Sequence, residues 1–527
     1  MLNRLTSYLL NSLLCLLYHR EYQAYIKTKN IENEQRKKLL TVLRRNQNSE
    51  YGKKNGFHRI KNVEDFQKRV PLTDYEDYQE SIEKIKAGIQ NVLTCEEVLL
   101  LEPTSGSSSI AKLIPYTASL KEEFQSGLKP WLYDLYTRNK GLKWGRSYWA
   151  VTPATFQKSN SVGGIPIGFE EDSDYFGALE KRLMDRVFAV PSSVAKVGNM
   201  EEFYHQTVYH LLLCPDITLI SVWNPTFLIL LLEYMEKHVA GLVKEVAEKN
   251  RKRGAEVAEI LKNRSYHQLW KNLKVISCWC DANAASHSRK LAQWFPEVVI
   301  QPKGLLATEG FVSFPLAGEV GARLSVKSHF FEFRSLTDDG IYLAHQLKQG
   351  ELYEVILTTG GGFYRYQLHD IIEVVGFSDD FPRVVFKGKA NRVSDLFGEK
   401  LHETFVKALM EEIGLNADFW MMAPETDRYV LYLEASGVPV ELKARIEDGL
   451  RNNIHYDYCR KLGQLKELRI FLLQGNPRQE YLEECFRRGQ RLGDIKTTSL
   501  HLQSGWDLVF TGEYQTRPLF HENETFL

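Results

Sequence analysis

Residues Val98 to Thr117 read as an apolar strand, a loop of Thr104, Ser105, Gly106, Ser107, Ser108 and Ser109, and a second strand reached through Lys112. Few chain segments are so restrictive, because two apolar runs this close must pair or pack around the loop that joins them. The loop's composition suits a phosphate cradle. Its hydroxyls and unhindered backbone N–H groups can wrap phosphate oxygens, Gly106 can take a positive φ, and Lys112 adds a point charge. A helix-forming Walker A loop is excluded: GxxxxGK[ST] is absent, and the apolar residues Leu113 to Tyr116, including Pro115, follow where a helix would start. A flexible Ser/Gly linker is the alternative, but linkers seldom sit between two apolar runs only a few residues away.

At 527 residues the chain is too long for one core, so one large subdivided domain and a smaller one are expected. With 67 basic and 67 acidic side chains, no global field recruits nucleic acid or an anionic membrane. The basic run Arg36 to Arg45 alternates with Leu39, Leu40, Val42 and Leu43, as on the solvated face of a helix. Seven scattered cysteines fit a reducing, cytoplasmic setting and not a disulfide framework. Cys278 and Cys280 form a CxC without partners at metal-ligand spacing. The apolar stretch Tyr8 to Tyr18 is broken by Asn11 and Ser12, with no small-residue cleavage site after it. An amphipathic or buried helix is expected there, without stable insertion in a membrane and with peripheral contact left open.

Strands alternate with long helices from Val98 onward, predicting an α/β architecture with helices covering a sheet. Residues Gly321 to Arg392 predict a twisted antiparallel sheet or half-barrel, built from runs such as Tyr353 to Thr359 and Val384 to Phe386. A compact α/β module follows, and the crowding of Gly, Lys, Asn and Asp at Gly388 to Gly398 predicts a hinge. The expected division is residues 1–390 and 391–527.

Three further polar clusters fall at sheet–loop junctions. Thr308 and Glu309, after Leu305-Leu306, offer a hydroxyl and a carboxylate of the kind Mg²⁺ takes alongside phosphate oxygens, although a solvated turn glutamate reads the same way. Tyr364 to Asp370 follows three glycines; Asp370 could accept both ribose hydroxyls, and the tyrosines with Arg365 could pack on a base or hold an anion. The fourth cluster holds Lys389, Ser394, Asp395 and Glu399.

In this order the clusters resemble the GH3 acyl-acid amido synthetase family, a branch of the adenylate-forming superfamily. Thr104 to Pro115 resembles its phosphate loop, Ala307-Thr308-Glu309 its S/T-E motif and Tyr364 to Asp370 its YRYxxGD motif. Ser221 to Phe227 and Val393 to Leu401 add support, the latter in a bacterial rather than plant form. The resemblance implies a large adenylation domain with a β-barrel-like part and a small mobile C-terminal domain. It implies that Thr104 to Ser109 and Lys112 hold the triphosphate of ATP, Thr308 contacts the α-phosphate, Glu309 binds Mg²⁺, Tyr366 and Asp370 serve the nucleoside, and Lys389 takes a hinge-proximal place often held by Arg. Lys496, in Leu492 to Lys496, resembles a C-terminal catalytic lysine; a surface lysine is the alternative.

Ile110, Ala111, Leu305 and His369 depart from the family's pattern, His369 standing where the motif has Gly. The implied reaction adenylates a carboxylic acid, releases pyrophosphate and passes the acyl group to an amine, such as that of an amino acid. An acyl-CoA ligase would share the first step, and a nucleotide-binding protein without turnover would share only the fold. Neither a GxSxG elbow nor HExxH is present, consistent with chemistry carried by an activated substrate.

Overall fold

The computed structural model describes residues 2–104, 112–150, 159–168, 183–197, 199–281, 284–390, 392–397, 399–435, 438–439, 441–488, 490 and 495–515. The chain divides into two compact units between Lys387 and Gly388, slightly before the expected border at residue 390.

The first unit opens with two helices, α1 (Leu2–Ile26) and α2 (Ile31–Arg45). Asn11, Leu14, Cys15, Tyr18, Tyr22 and Tyr25 recur every three or four residues and form the buried stripe of α1. The Asn11 amide N–H₂ donates to the carbonyls of Lys143 and Gly145, pairing the donor half of a side chain that the stripe takes out of water. In α2, Asn30 caps the first turn by accepting from the Asn33 N–H, and Ile31, Gln35, Leu39, Val42 and Leu43 face inward. The basic run is therefore the outer face of a helix.

Strands β1 (Leu100–Pro103) and β2 (Leu113–Tyr116) pair antiparallel, with Leu100 opposite Tyr116 and Pro103 opposite Leu113. Next comes α3 (Ala118–Arg138), which buries Leu120, Phe124, Trp131 and Leu135. Each large apolar side chain so buried is worth about 1.5–3 kcal/mol. β3 (Arg146–Trp149) opens a parallel sheet, whereas β4 (Ser159–Asn160) and β5 (Pro166–Ile167) return beside β1. The parallel sheet continues with β6 (Ile217–Ser221), β7 (Val275–Cys278) and β8 (Val299–Pro302), in the order β3-β6-β7-β8. Between β6 and β7 the chain folds into three helices, at Pro225–Lys237, Val239–Lys249 and Arg251–Lys262.

β9 (Leu306–Ala307) and β10 (Gly310–Phe311) form a tight hairpin. A seven-stranded sheet follows, with β11 (Ser313–Phe314), β12 (Ala322–Leu324), β13 (Phe330–Ser335), β14 (Ile341–Leu343), β15 (Leu352–Thr358), β16 (Tyr366–Ser378) and β17 (Phe381–Lys389). Its order is β11-β12-β17-β16-β15-β13-β14. This is the antiparallel region expected from the β-branched and aromatic runs.

In the second unit β18 (Val393–Ser394) pairs with β19 (Leu401–His402). The Glu399 carboxylate is buried there and accepts from the N–H groups of Leu396 and Phe397 and from the Tyr429 hydroxyl. This part of the expected hinge is thus a hairpin organised around a buried carboxylate, not loose chain. A four-stranded sheet, β20 (Trp420–Glu425), β21 (Arg428–Leu433), β22 (Arg469–Leu473) and β23 (Gly512–Tyr514), carries helices at Glu403–Ile413, Leu442–Leu450 and Pro477–Arg487.

Candidate active site

The hydroxyl-rich segment connects β1 to β2, as expected. The Thr104 N–H donates to the Lys112 carbonyl at 2.8 Å and closes the hairpin below the loop. Ser105, Gly106, Ser107, Ser108 and Ser109 lie outside the described residues. At the loop's edge the Thr104 hydroxyl is buried without a hydrogen-bond partner among the described residues, an arrangement that costs free energy until an acceptor arrives. Lys112 Nζ lies 5.2 Å from the centre of the Tyr75 ring, whose hydroxyl accepts from the Leu113 N–H at 2.7 Å.

Thr308 and Glu309 form the two-residue turn between β9 and β10, so both side chains sit at a hairpin tip. The Tyr116 hydroxyl donates to the Thr308 carbonyl at 2.7 Å, tying this tip to the end of β2. From β16, the Tyr366 hydroxyl lies 3.5 Å from a Glu309 carboxylate oxygen. Burial, and then the Glu309 charge, push the Tyr366 phenol well above its usual range, so it stays protonated and donates. Thr104, Lys112, Thr308, Glu309 and Tyr366 are thereby linked within one unit. Asp370 is buried four residues further along β16. Lys389, at the end of β17, and half-buried Lys496, whose carbonyl accepts from Tyr481, belong to the second unit.

Arg365 and Tyr364 do not take the ligand-facing places expected of them. The Arg365 guanidinium makes two 3.0 Å bonds to the Glu332 carboxylate and also donates to the Val70 and Gln67 carbonyls. Both charges are buried, so the fork geometry that suits an external anion is already satisfied inside the protein. Tyr364 is fully buried, stacks on Tyr51 at 4.9 Å and donates to the Leu93 carbonyl. Leu305 is likewise a core residue.

His369 replaces the motif's glycine yet keeps a left-handed backbone, with φ of 61°. It lies in a bulge: Glu354 pairs with Ile371 and Ile356 with Gln367, so the segment around His369 stands opposite Val355 alone. The strain this conformation brings to a residue with a Cβ is offset by two carboxylates. Nδ1 lies 2.6 Å from Glu354 and Nε2 2.7 Å from Asp74. Burial opposes charge on this imidazole, but the two carboxylates outweigh it and raise its pKa above the ordinary 6.5. The substitution therefore preserves the turn that a glycine would make and adds an ionic clasp.

A further group escaped the sequence reading. Lys303 follows β8 and is buried; its ammonium donates to Ser221 Oγ at 2.6 Å and lies 4.8, 5.1 and 5.4 Å from the rings of Trp223, Trp131 and Trp149. These residues gather at the carboxyl ends of parallel strands, where open α/β sheets receive ligands. Pro302-Lys303-Gly304 ending an apolar strand is the sequence signal. Gly304 has φ of 75°, and a Cβ there would stand 2.5 Å from the Ser313 carbonyl oxygen.

Among the described residues no group of three or more His, Cys, Asp or Glu side chains is arranged to hold a metal. Mg²⁺ does not require one, since a single protein carboxylate with phosphate oxygens suffices, and Glu309, held by Tyr366 at the β9–β10 tip, offers such a carboxylate.

Comparison with known proteins places the chain in one family. The GH3 family N-terminal domain matches residues 23–300, its central domain residues 323–389 and its C-terminal domain residues 400–504. An indole-3-acetic acid-amido synthetase of Arabidopsis thaliana, GH3.4, is 23% identical over 73% of this chain and 71% of its own. A jasmonoyl–L-amino acid synthetase of Nicotiana attenuata, JAR6, is 22% identical over 78% of this chain and 80% of its own. The structure of AtGH3.15 acyl acid amido synthetase in complex with 2,4-DB superposes with a TM-score of 0.78 and 18% identity, covering 96% of this chain and 98% of the other. The fold is that of an acyl acid amido synthetase. The chain belongs to the GH3 family.

Proposed function

We propose that this protein is an ATP-dependent amide ligase that activates a carboxylic acid as its acyl-adenylate and transfers the acyl group to an amine, the acceptor being an amino acid. The observation that carries the reading is the pair of tyrosine links. Tyr116 to Thr308 and Tyr366 to Glu309 draw the phosphate-loop hairpin, the Thr-Glu turn and the nucleoside strand together. The relatives' names, which pair indole-3-acetic acid with an amido group and jasmonoyl with amino acids, support the same substrate classes.

In the first half-reaction a carboxylate oxygen of the acid attacks the α-phosphorus of ATP, the bond to the β-phosphate oxygen breaks, and pyrophosphate leaves. Lys112 and the loop N–H groups hold the phosphates, the Thr308 hydroxyl meets the α-phosphate, and Asp370 accepts from the ribose hydroxyls. Tyr366 keeps Glu309 oriented by donating to it. Glu309 is the residue to hold Mg²⁺, which would neutralise phosphate charge. In the second half-reaction the neutral amine attacks the acyl carbon, AMP leaves with the bonding pair, and the nitrogen loses one proton to solvent to give the amide. No protein nucleophile is required. Lys389 and Lys496 are assigned to adenylation from a mobile C-terminal domain. The seven free thiols support a reducing, cytoplasmic workplace.

The test is ATP–pyrophosphate exchange over a carboxylic acid library, followed by mass spectrometry of products formed with pooled amino acids or with CoA. Acid-dependent exchange with an amide product is the expected result. Nucleotide binding without exchange, or a thioester product, overturns the assignment.

A further inference from the structure

Helix α1 is apolar on two opposite faces. Its packed face is fixed by Asn11, by Tyr22 against Tyr133 at 4.5 Å, and by Tyr25, whose hydroxyl donates to the Leu324 carbonyl. At about 100° per residue, Leu5, Leu9, Leu13 and Leu16 fall on the opposite face. They are 48, 60, 41 and 71% exposed. Isolated exposed leucines are ordinary, but four in one helical stripe are not. Trp144, 41% exposed, stacks on Tyr8 at 4.2 Å and adds an amphipathic ring at the stripe's edge.

The charges around this stripe select its partner. Arg20 falls on the same face beside Leu16, Arg4 opens the helix about a third of a turn round from Leu5, Lys27 and Lys29 follow the helix, and Lys140 lies four residues before Trp144; all are exposed. Glu21, the only acidic residue of α1, turns toward the packed face with a buried carboxylate oxygen. A second copy of the helix would set Arg20 against Arg20 in a parallel pairing, or against the Leu5 end in an antiparallel one, with no carboxylate of α1 on this face to answer it. An anionic lipid surface meets both features, accepting leucines and an interfacial tryptophan below its headgroups and cations among them. No described helix is long and apolar enough to cross a membrane, so the contact lies in the interface plane. We propose that the Leu5-Leu9-Leu13-Leu16 face of α1, with Trp144 and the flanking cations, docks this protein on an anionic phospholipid surface.

The full-length protein is tested by flotation with vesicles of phosphatidylcholine alone or with roughly one-third phosphatidylglycerol. Binding to the anionic vesicles, weakened at high salt, is expected. Leu9→Glu/Leu16→Glu should reduce the bound fraction about tenfold or more, and Arg20→Glu should reduce it several-fold, both with unchanged circular dichroism and thermal melting. Arg20→Glu leaves the helix's apolar contacts in place and decides the matter if the double variant fails to fold. Failure to float with anionic vesicles, or equal flotation of the variants, overturns the proposal. So does a concentration-dependent dimer in light scattering that the double variant abolishes without any vesicle binding, which would assign the face to a second copy.

Discussion

Asp74 and His369 stand 295 residues apart in the chain, yet an Asp74 carboxylate oxygen lies 2.7 Å from His369 Nε2. The same aspartate accepts from the Gln367 amide at 3.2 Å, so the segment after Pro71 is clamped to the bulge of β16. A residue that looks in sequence like a lost glycine is, in the fold, the centre of a long-range ionic contact.

His369→Gly relieves a left-handed conformation but leaves Glu354 and Asp74 without their cation. The second effect should win, costing about 1–3 kcal/mol once partial exposure is discounted. The folded pKa of His369 is raised above the unfolded value near 6.5, so its stabilisation is complete below that pH and lost as pH rises through the folded pKa. Denaturation midpoints of wild type and variant should therefore differ most at pH 6 and converge in alkali. A gap that widens with pH contradicts the clasp.

Lys112→Ala should impair adenylation far more than folding. Half-buried Lys112 gives the fold about 0.5–1 kcal/mol through its contact with the Tyr75 ring, whereas a phosphate contact in a preorganised site is worth about 2–4 kcal/mol in the transition state, or roughly 30- to 1,000-fold in rate. Pyrophosphate exchange within about twofold of wild type removes Lys112 from the phosphate site.

Glu309→Gln should raise the Mg²⁺ concentration for half-maximal exchange about tenfold or more, by replacing a charged ligand with a neutral one. Asp370→Asn should instead raise the KM for ATP while leaving that for the acid near wild type. An unchanged Mg²⁺ titration in the first variant moves metal binding elsewhere.

Lys496→Ala separates the half-reactions. If this lysine serves adenylation alone, exchange should fall about 100-fold while amide formation from a supplied acyl-adenylate persists. Equal loss in both assays points to misfolding of the second unit, and no loss in either makes Lys496 a solvated surface residue.

The sequence exposes what is local. Apolar runs flanking a Ser/Gly loop predict the β1–β2 hairpin, and a two-residue Thr-Glu interval between short apolar pairs marks the β9–β10 turn. Arg365 misleads because an arginine among tyrosines after three glycines has the composition of a ligand site, while its actual partner, Glu332, lies 33 residues upstream on another strand. Lys303 carries only the faint signal of Pro302-Lys303-Gly304 after an apolar strand, because Trp131, Trp149 and Trp223 come from three separate elements and the packed fold alone brings their rings around one ammonium. The His369 clasp needs β15 and the segment after Pro71, which no window on the sequence spans together.

The Thr73 N–H donates to the Arg365 carbonyl, the Gln367 N–H donates back to Thr73, and Arg365 takes the Val70 carbonyl. These bonds set a schedule for the growing chain. At about 5–20 residues per second, a ribosome needs about 15–60 s to travel from residue 70 to residue 367. Through that interval the segment Val70 to Tyr78 holds apolar side chains and backbone groups whose partners have not been made, whereas α1 meets its partners on α3 and at Lys143 far sooner. That segment thus presents a prolonged opportunity for chaperones, and a fragment lacking β16 leaves it without its partners.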